Sequence, residues 1–243
     1  MLSKDMVNGM SGFRGFPKES VEFYVELAKN NNKAWFSEHK SAFEKSVMDP
    51  AKDFVYSMGN LLKKLSPNVI ADPRVNGSIF RPYRDTRFSN DKTPYKTHLG
   101  IFFWEGKGPK MECSGYYFHL EPPTIFLAAG MHCFSRSRLE LYRNSLADSE
   151  FGPEMVKAVE RVSKNSGYSV GGKHYKKLPR GYTADGKAAE LLLHNGLYAM
   201  TESDIPAELY SEDLLEYCLA GFKKMSPIHQ RLTEMINRGA AFG

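Results

Sequence analysis

Residues 114–131 read SGYYFHLEPPTIFLAAGM, and this stretch decides the fold. A Pro-Pro dipeptide separates two largely apolar segments, 115–121 and 124–133. Segments of this length and composition on either side of a short turn predict two antiparallel strands. We therefore expect a β-sheet in the middle of the chain.

The alternation of side chains in the first strand predicts which face is buried. Successive side chains along a strand point to opposite faces of the sheet. The expected core face carries Tyr116, Phe118 and Leu120, and the expected polar face carries Tyr117, His119 and Glu121. The polar face is a candidate site, because a strand places its histidine and its carboxylate next to each other.

Helical periodicity lies on both sides of these strands, and it sets the fold class. The predicted helices cover 18–29, 33–48, 49–65 with Pro50 at its first turn, 135–147, 152–165, 186–195 and 211–238 with a break near Pro227. The other predicted strands cover 78–84, 97–104 and 197–202, and 166–184 is expected to be irregular. This order predicts an α+β protein, with a mostly antiparallel central sheet and the N-terminal and C-terminal helices packed on it.

The chain of 243 residues is the right length for one such domain, which we place at residues 16–243 after a flexible lead-in at 1–15. No apolar run approaches the roughly 20 residues that span a bilayer, and the N-terminus lacks the apolar region of a signal peptide. Three scattered cysteines without a CxxC pair favour reduced thiols over a zinc knuckle or a disulfide framework. We therefore expect a cytoplasmic protein with no membrane partner.

The formal net charge of +5 is concentrated in two segments. Residues 81–98, RPYRDTRFSNDKTPYKTH, carry +3 and residues 173–180, KHYKKLPR, carry +4, so the remainder of the chain is mildly acidic. Such a distribution favours a local anion site over a basic coat for nucleic acid. No glycine-rich phosphate loop opens a helix, which disfavours a Rossmann or P-loop nucleotide site.

Within the two basic segments, guanidinium groups and ammonium groups suit phosphate or carboxylate ligands. The candidate ligand-binding residues are Arg81, Arg84, Arg87, Ser89, Lys92, Tyr95, Lys96, Lys176 and Arg180. Asp85 and Asp91 are expected to orient neighbouring arginines by pairing with them. The alternative interpretation is a charged loop that pairs with itself and binds nothing.

His119 and Glu121 are the candidate catalytic pair, because a carboxylate beside an imidazole raises the pKa of the imidazole and orients it for acid–base chemistry. A metal site is a further alternative, with His98, His119, Glu121 and His132 as its candidate ligands. No HExxH motif singles out a metal, and a purely structural hydrogen-bonded pair also fits the pattern. The sequence does not identify a cofactor.

The run RDTRFSNDKTPYKTH, 84–98, resembles the signature of the DUF2461 domain family. Further resemblance lies in NNNKAWFSEHKSAFEKSVMDP at 30–50, GYYFHLEP at 115–122 and KKLPRGY at 176–182, and together these stretches extend over residues 16–200. The resemblance implies an intracellular single-domain protein, and it carries over no activity, cofactor or catalytic residue.

These observations favour a basic pocket for an anionic small molecule, one that bears a phosphate, in a binding protein or in an enzyme that uses His119 and Glu121. The first alternative is a protein associated with nucleic acid, in which an open basic groove stacks bases on Phe88, Tyr95 and Tyr175. The second is a scaffold whose Arg–Asp pairs are structural. The oligomeric state is beyond the sequence.

Overall fold

A six-stranded antiparallel sheet lies at the centre of the structure, a computed structural model that describes residues 12–240. Its strands are β1 (Val69–Ile70), β2 (Leu99–Glu105), β3 (Ser114–Glu121), β4 (Thr124–Met131), β5 (Ser169–Lys173) and β6 (His194–Asp204). The spatial order is β1-β2-β3-β4-β6-β5, and every neighbouring pair is antiparallel. The predicted α+β class and its antiparallel sheet are confirmed.

The helices flank the sheet in the chain as predicted. They are α1 (Lys18–Lys29), α2 (Lys33–Glu38), α3 (Lys40–Phe43), α4 (Asp49–Leu62), α5 (Arg136–Ala147), α6 (Phe151–Ser163), α7 (Gly186–Leu191) and α8 (Leu214–Ala240), with 3₁₀ turns at Lys110–Glu112 and Ala207–Tyr210. Among residues 12–240, no helix combines the length and the apolarity that a membrane span requires.

One face of the sheet is buried under α4 and α8. Tyr116, Phe118 and Leu120 of β3 are fully buried there, which confirms the predicted core face. The ring of Phe118 contacts Phe54 of α4 with 5.0 Å between centroids, and Tyr116 contacts Phe222 of α8 at 5.2 Å. Burial of such large side chains supplies the main stabilisation of this layer.

A polar cluster is embedded in the same core, between α8 and the sheet. His229 of α8 has no exposed surface, and its Nδ1 lies 2.9 Å from the Ser114 hydroxyl. Its Nε2 lies 3.0 Å from both the Ser66 hydroxyl and a carboxylate oxygen of Glu105. The hydroxyl of Ser66 is in turn 3.0 Å from that of Tyr116, so the buried polar atoms satisfy one another.

Two predicted elements differ in the N-terminal half. The strand predicted over 78–84 is wrong: Ile79 forms one isolated bridge to Ile101, and the next bridge joins Tyr83 to Tyr95 outside the sheet. Pro82 lies between them and has no amide to donate to a strand neighbour.

The single helix predicted over 33–48 is also wrong, because it ends at Glu38 and resumes as α3. A π-helical turn, Glu44–Met48, then continues directly into α4, so Pro50 does not follow a break.

Two further differences lie in the C-terminal half. The break predicted near Pro227 does not occur, because α8 runs through it. Pro227 has no amide hydrogen to donate to the carbonyl oxygen of Lys223, four residues earlier. The Ser226 hydroxyl donates to that oxygen instead, at 2.9 Å. The segment predicted to be irregular over 166–184 contains the short edge strand β5. Gly171 and Gly172 give this strand no alternation of side chains that the sequence could reveal.

Order in the chain begins before the predicted domain boundary. Phe13 is buried against Phe16 and Phe54, with ring centroids 5.4 and 5.2 Å apart. Residues 1–11 of the predicted lead-in lie outside the described residues.

Candidate functional site

The face of the sheet opposite the core carries a cavity of about 600 Å³. We call this the cavity face; on β3 it carries the predicted polar stripe. Most of the cavity wall is apolar, from side chains of Phe80, Phe102, Met111, Phe126, Ala128 and Tyr198 among others. Lys96, His98 and His119 line one end, and His132 and Cys133 line the other.

The cavity exists because three neighbouring positions on this face have small side chains. Gly115 of β3 is paired with Gly130 of β4, and Ala128 lies beside Tyr117. A Cβ atom at Gly115 would lie 2.1 Å from the Phe103 carbonyl oxygen. Gly130 has φ of +131°, a conformation that only glycine adopts without strain. Local backbone geometry therefore keeps side chains out of this part of the sheet.

His98, His119 and Glu121 meet at one end of the cavity. One ring nitrogen of each histidine and one oxygen of Glu121 all lie within 4.8 Å of one another. The Nε2 atom of His119 is 3.2 Å from Glu121 Oε2, and Nδ1 of His98 is 4.0 Å from Oε1. The register explains the meeting, because His119 and Glu121 share a face of β3 and His98 immediately precedes β2, the neighbouring strand.

Two further hydroxyls hold this cluster in place. The hydroxyl of Tyr117 is 2.9 Å from Nδ1 of His119, and the hydroxyl of Thr97 donates to Glu121 Oε1 at 2.7 Å. These hydroxyls orient His119 and Glu121, and the His98 ring lies beside that of His119 with 4.4 Å between their centroids. The predicted polar stripe of Tyr117, His119 and Glu121 lies on this face, and Thr97 adds to it.

The protonation states of the cluster differ from the sequence expectation. Burial lowers the pKa of His98 to about 4, and the neighbouring His119 adds to the effect. Burial also lowers the pKa of His119 and outweighs the opposing influence of Glu121, so the predicted rise in that pKa is wrong. Burial alone would raise the pKa of Glu121, but hydrogen bonds from Thr97 and His119 lower it. The cluster thus holds two neutral imidazoles and one carboxylate near neutral pH.

Lys96 is the cation of the first basic segment that reaches the cavity wall. Its ammonium group lies 5.3 Å from the centroid of Phe80, over the ring. Burial lowers its pKa, and the charge of Arg81 lowers it further. Lys110 approaches the same ring from 4.6 Å, so two ammonium groups flank Phe80.

Two of the three arginines of this segment pair with its aspartates. Arg84 contacts Asp91 and Thr93, and the guanidinium of Arg87 donates to both oxygens of Asp85 at 2.6 and 2.9 Å. The pKa of Asp85 falls to about 2 because of the hydrogen bonds from Arg87. Lys92 donates to the Thr86 carbonyl oxygen, 2.9 Å away. Neither arginine lines the cavity.

The remaining predicted residues of the segment have different surroundings. Tyr95 is buried and stacks on Phe36, with ring centroids 4.0 Å apart, while Asn31 exchanges two hydrogen bonds with its backbone. Tyr95 therefore anchors the segment to α2. Arg81 is exposed and has no ion pair within residues 12–240, and Ser89 is half-buried away from the cavity wall.

The second basic segment lies at the other corner of the sheet. Lys173 of β5 is paired with His194, at the end of β6 that adjoins Met131. Residues 81–98 lead instead into Leu99, which is paired with Leu120 near the opposite end of the strands. Lys176 and Arg180 are exposed and do not line the cavity. The structure therefore does not bring the two basic segments together.

His132 also lies apart from the metal-binding candidates. It lines the far end of the cavity, with its ring 5.3 Å from that of Tyr198, and it does not join the cluster of His98, His119 and Glu121. Cys113 and Cys218 are buried and Cys133 is exposed; all three are free thiols.

We expect the substitution Arg87→Ala to change the melting temperature by less than about 2 °C, because the Arg87–Asp85 pair is exposed and solvent screens it. Thermal unfolding followed by circular dichroism measures this. A fall of many degrees would instead support the scaffold interpretation of the loop.

Several cavity residues escaped the sequence interpretation. Phe80, Phe102, Phe126 and Tyr198 come from four separate segments, and their convergence depends on strand register. A usable signal was present in β4, where Phe126, Ala128 and Gly130 alternate on one face with decreasing size. That pattern is typical of a sheet surface that leaves space for a ligand.

The chain was also compared with known proteins. No curated protein matches it. A family model described as conserved hypothetical protein (DUF2461) matches residues 19–230. This match includes every strand of the sheet and every residue of the cavity wall. The chain therefore belongs to the DUF2461 family.

Proposed function

We propose that the chain binds an anionic small molecule in the cavity described above. The observation that carries this proposal is an apolar cavity of about 600 Å³ with Lys96, His98 and His119 at one end. Small-molecule pockets typically have volumes of about 300–1,000 Å³, apolar walls and a few polar groups that fix orientation. A ligand with a ring-sized apolar body and one anionic group, such as a phosphate monoester, matches these features.

Lys96 is the proposed contact for the anionic group. Its partial burial strengthens the attraction, because a charge pair is screened less away from bulk water. Aromatic side chains of Phe80, Phe102 and Phe126 would enclose the apolar body. The paired Arg84 and Arg87 have a different role in this proposal, which is to shape the segment that presents Lys96.

His119 and Glu121 are the proposed acid–base groups for a molecule in the cavity. A neutral imidazole can accept a proton from a bound molecule, and the adjacent carboxylate stabilises the cation that forms. His119 lines the cavity, so the imidazole is within reach of a bound molecule. This arrangement is the basis for proposing an enzyme.

The substitution Lys96→Gln is expected to weaken binding of 1-naphthyl phosphate by about 10- to 100-fold. A hydrogen bond to a charged group contributes about 1.5–3 kcal/mol, which corresponds to that range. Isothermal titration calorimetry measures the affinity, and 1-naphthoate and inorganic phosphate separate the need for a phosphate from the need for a ring.

The matched control is Lys92→Gln, which removes a lysine from the same segment outside the cavity wall. We expect it to change the affinity by less than about twofold. Equal losses in both variants, or no binding of 1-naphthyl phosphate by the unsubstituted protein, would contradict the proposal.

The nucleic-acid alternative has one observation in its favour. Phe88 is 94% exposed, and the guanidinium of Arg87 lies 5.7 Å from its ring centroid. Such a pair can stack on an unpaired base. Binding of a single-stranded oligonucleotide at low salt that is lost in Phe88→Ala and retained in Lys96→Gln would favour this alternative over the cavity.

A further inference from the structure

We propose that His98, His119 and Glu121 bind one divalent transition-metal ion at the end of the cavity. Two imidazoles and one carboxylate form a ligand set that suits Fe²⁺, Mn²⁺ or Zn²⁺ and leaves coordination positions open. The proposal deepens the proposed function and rests on it only in one respect, which is that the open positions face the bound molecule.

The separations within the cluster are close to those of a metal site. Two ligand atoms that are each about 2.1 Å from one ion lie at most about 4.2 Å apart. The three donor atoms already lie within 4.8 Å of one another, and His119 Nε2 is 3.2 Å from Glu121 Oε2. Small side-chain rotations therefore suffice to close the site.

The surroundings of the cluster match the outer partners that metal ligands usually have. A ligating histidine generally donates its other ring N–H to an acceptor that fixes the ring. When an ion takes the place of the proton on Nε2, Nδ1 of His119 can donate its own proton to the Tyr117 hydroxyl oxygen, 2.9 Å away. Thr97 holds Oε1 of Glu121 in the same way and leaves Oε2.

Exposure of the three side chains is intermediate, which suits a site that a ligand and an ion must both reach. The side chains of His98, His119 and Glu121 are 27%, 14% and 46% exposed. His119 and Glu121 lie in β3 and His98 immediately precedes β2, so the site is built on or next to rigid elements.

A bound cation would also resolve a conflict in the charge of the cavity. Glu121 places a negative charge where the proposed ligand brings another, and such like charges repel. A divalent ion between them reverses the local charge, so an anionic group would be held by the ion on one side and by Lys96 on the other. In this state His119 and Glu121 serve as ligands instead of direct acid–base groups.

Titration of the protein with Co²⁺ tests the proposal, with tag-free protein freed of metal by chelator and dialysis. Visible absorption and calorimetry are expected to show one Co²⁺ per chain. The variants H98A, H119A and E121Q are each expected to weaken Co²⁺ binding by at least about tenfold, and Tyr117→Phe by about 10-fold through loss of the outer partner.

His132→Ala is the matched control, because His132 lines the same cavity outside the cluster. We expect it to leave the affinity for Co²⁺ within about twofold. E121Q keeps the shape of a half-exposed side chain, so it remains informative if a histidine variant fails to fold, and circular dichroism checks folding in each case.

Absence of Co²⁺, Mn²⁺ and Zn²⁺ binding by the unsubstituted protein would overturn the metal site, and so would an equal loss in His132→Ala. The titration uses the ion alone. Absence of metal binding would therefore not decide whether the cavity binds 1-naphthyl phosphate through Lys96. Absence of 1-naphthyl phosphate binding would likewise not decide whether the cluster binds a metal ion.

Discussion

The substitution His229→Leu is expected to lower the free energy of unfolding by about 3–5 kcal/mol, the usual cost of leaving a buried charged group without its partner. Leucine fills a similar volume but leaves the Glu105 carboxylate and the hydroxyls of Ser66 and Ser114 without their shared partner. The hydrogen bond from His229 is also the main cause of the lowered pKa of Glu105. The carboxylate is thus stabilised in its charged form by the group that the substitution removes.

Urea denaturation measures this change, and a fall in melting temperature of roughly 6–20 °C is expected alongside it. His174→Leu is the control, because His174 is exposed and contacts the edge of the Tyr175 ring. We expect this control to change stability by less than about 0.5 kcal/mol. A loss below about 1 kcal/mol in His229→Leu would show that the cluster contributes little.

The substitution Ala128→Trp is expected to weaken binding of 1-naphthyl phosphate by more than about 100-fold, or about 2.7 kcal/mol. Ala128 lies on the cavity face between Tyr117 of β3 and Met200 of β6. A tryptophan there projects into the space that the ligand needs. It replaces empty volume and leaves the core on the opposite face unchanged, so the protein is expected to fold.

Calorimetry again measures the affinity, and Ala34→Trp provides the control at an exposed position of α2. We expect the control to bind 1-naphthyl phosphate as the unsubstituted protein does. Undiminished binding by a folded Ala128→Trp variant would mean that the ligand lies elsewhere.

Much of the fold follows from local patterns in the sequence. The alternation in β3 predicted both its core face and its polar face, and α1 begins and ends where its apolar spacing indicated. The failures have identifiable causes in particular residues. Pro82 cannot continue a strand, and the Ser226 hydroxyl compensates for Pro227 within α8. These are effects of neighbouring groups that periodicity does not record.

The candidate site was only partly accessible from the sequence. His119 and Glu121 were identified because they alternate on one strand, and His98 because it begins the next. The cavity itself depends on register, which pairs Gly115 with Gly130 and leaves the space open. All three buried partners of His229 lie more than 100 residues away in the chain, so spacing could not reveal them; they are Ser66, Glu105 and Ser114.

The charge of residues 81–98 was a partly misleading signal. Four of its charged groups, on Arg84, Asp85, Arg87 and Asp91, pair with one another, and Lys96 is the only arginine or lysine of the segment that lines the cavity. Net charge counts all of these groups equally. The geometry separates the pairs that hold the segment in shape from the cation that is open to a ligand.

The proposed binding site is the cavity, and not the exposed surface around Arg84, Arg87 and Phe88. The most direct measurement is a crystal structure of the protein soaked with 1-naphthyl phosphate. Density for the ring between Phe80 and Phe126, with its phosphate beside Lys96, is the predicted result. Density confined to the surface around Arg84, Arg87 and Phe88, or none in the cavity at saturating ligand, would contradict the claim.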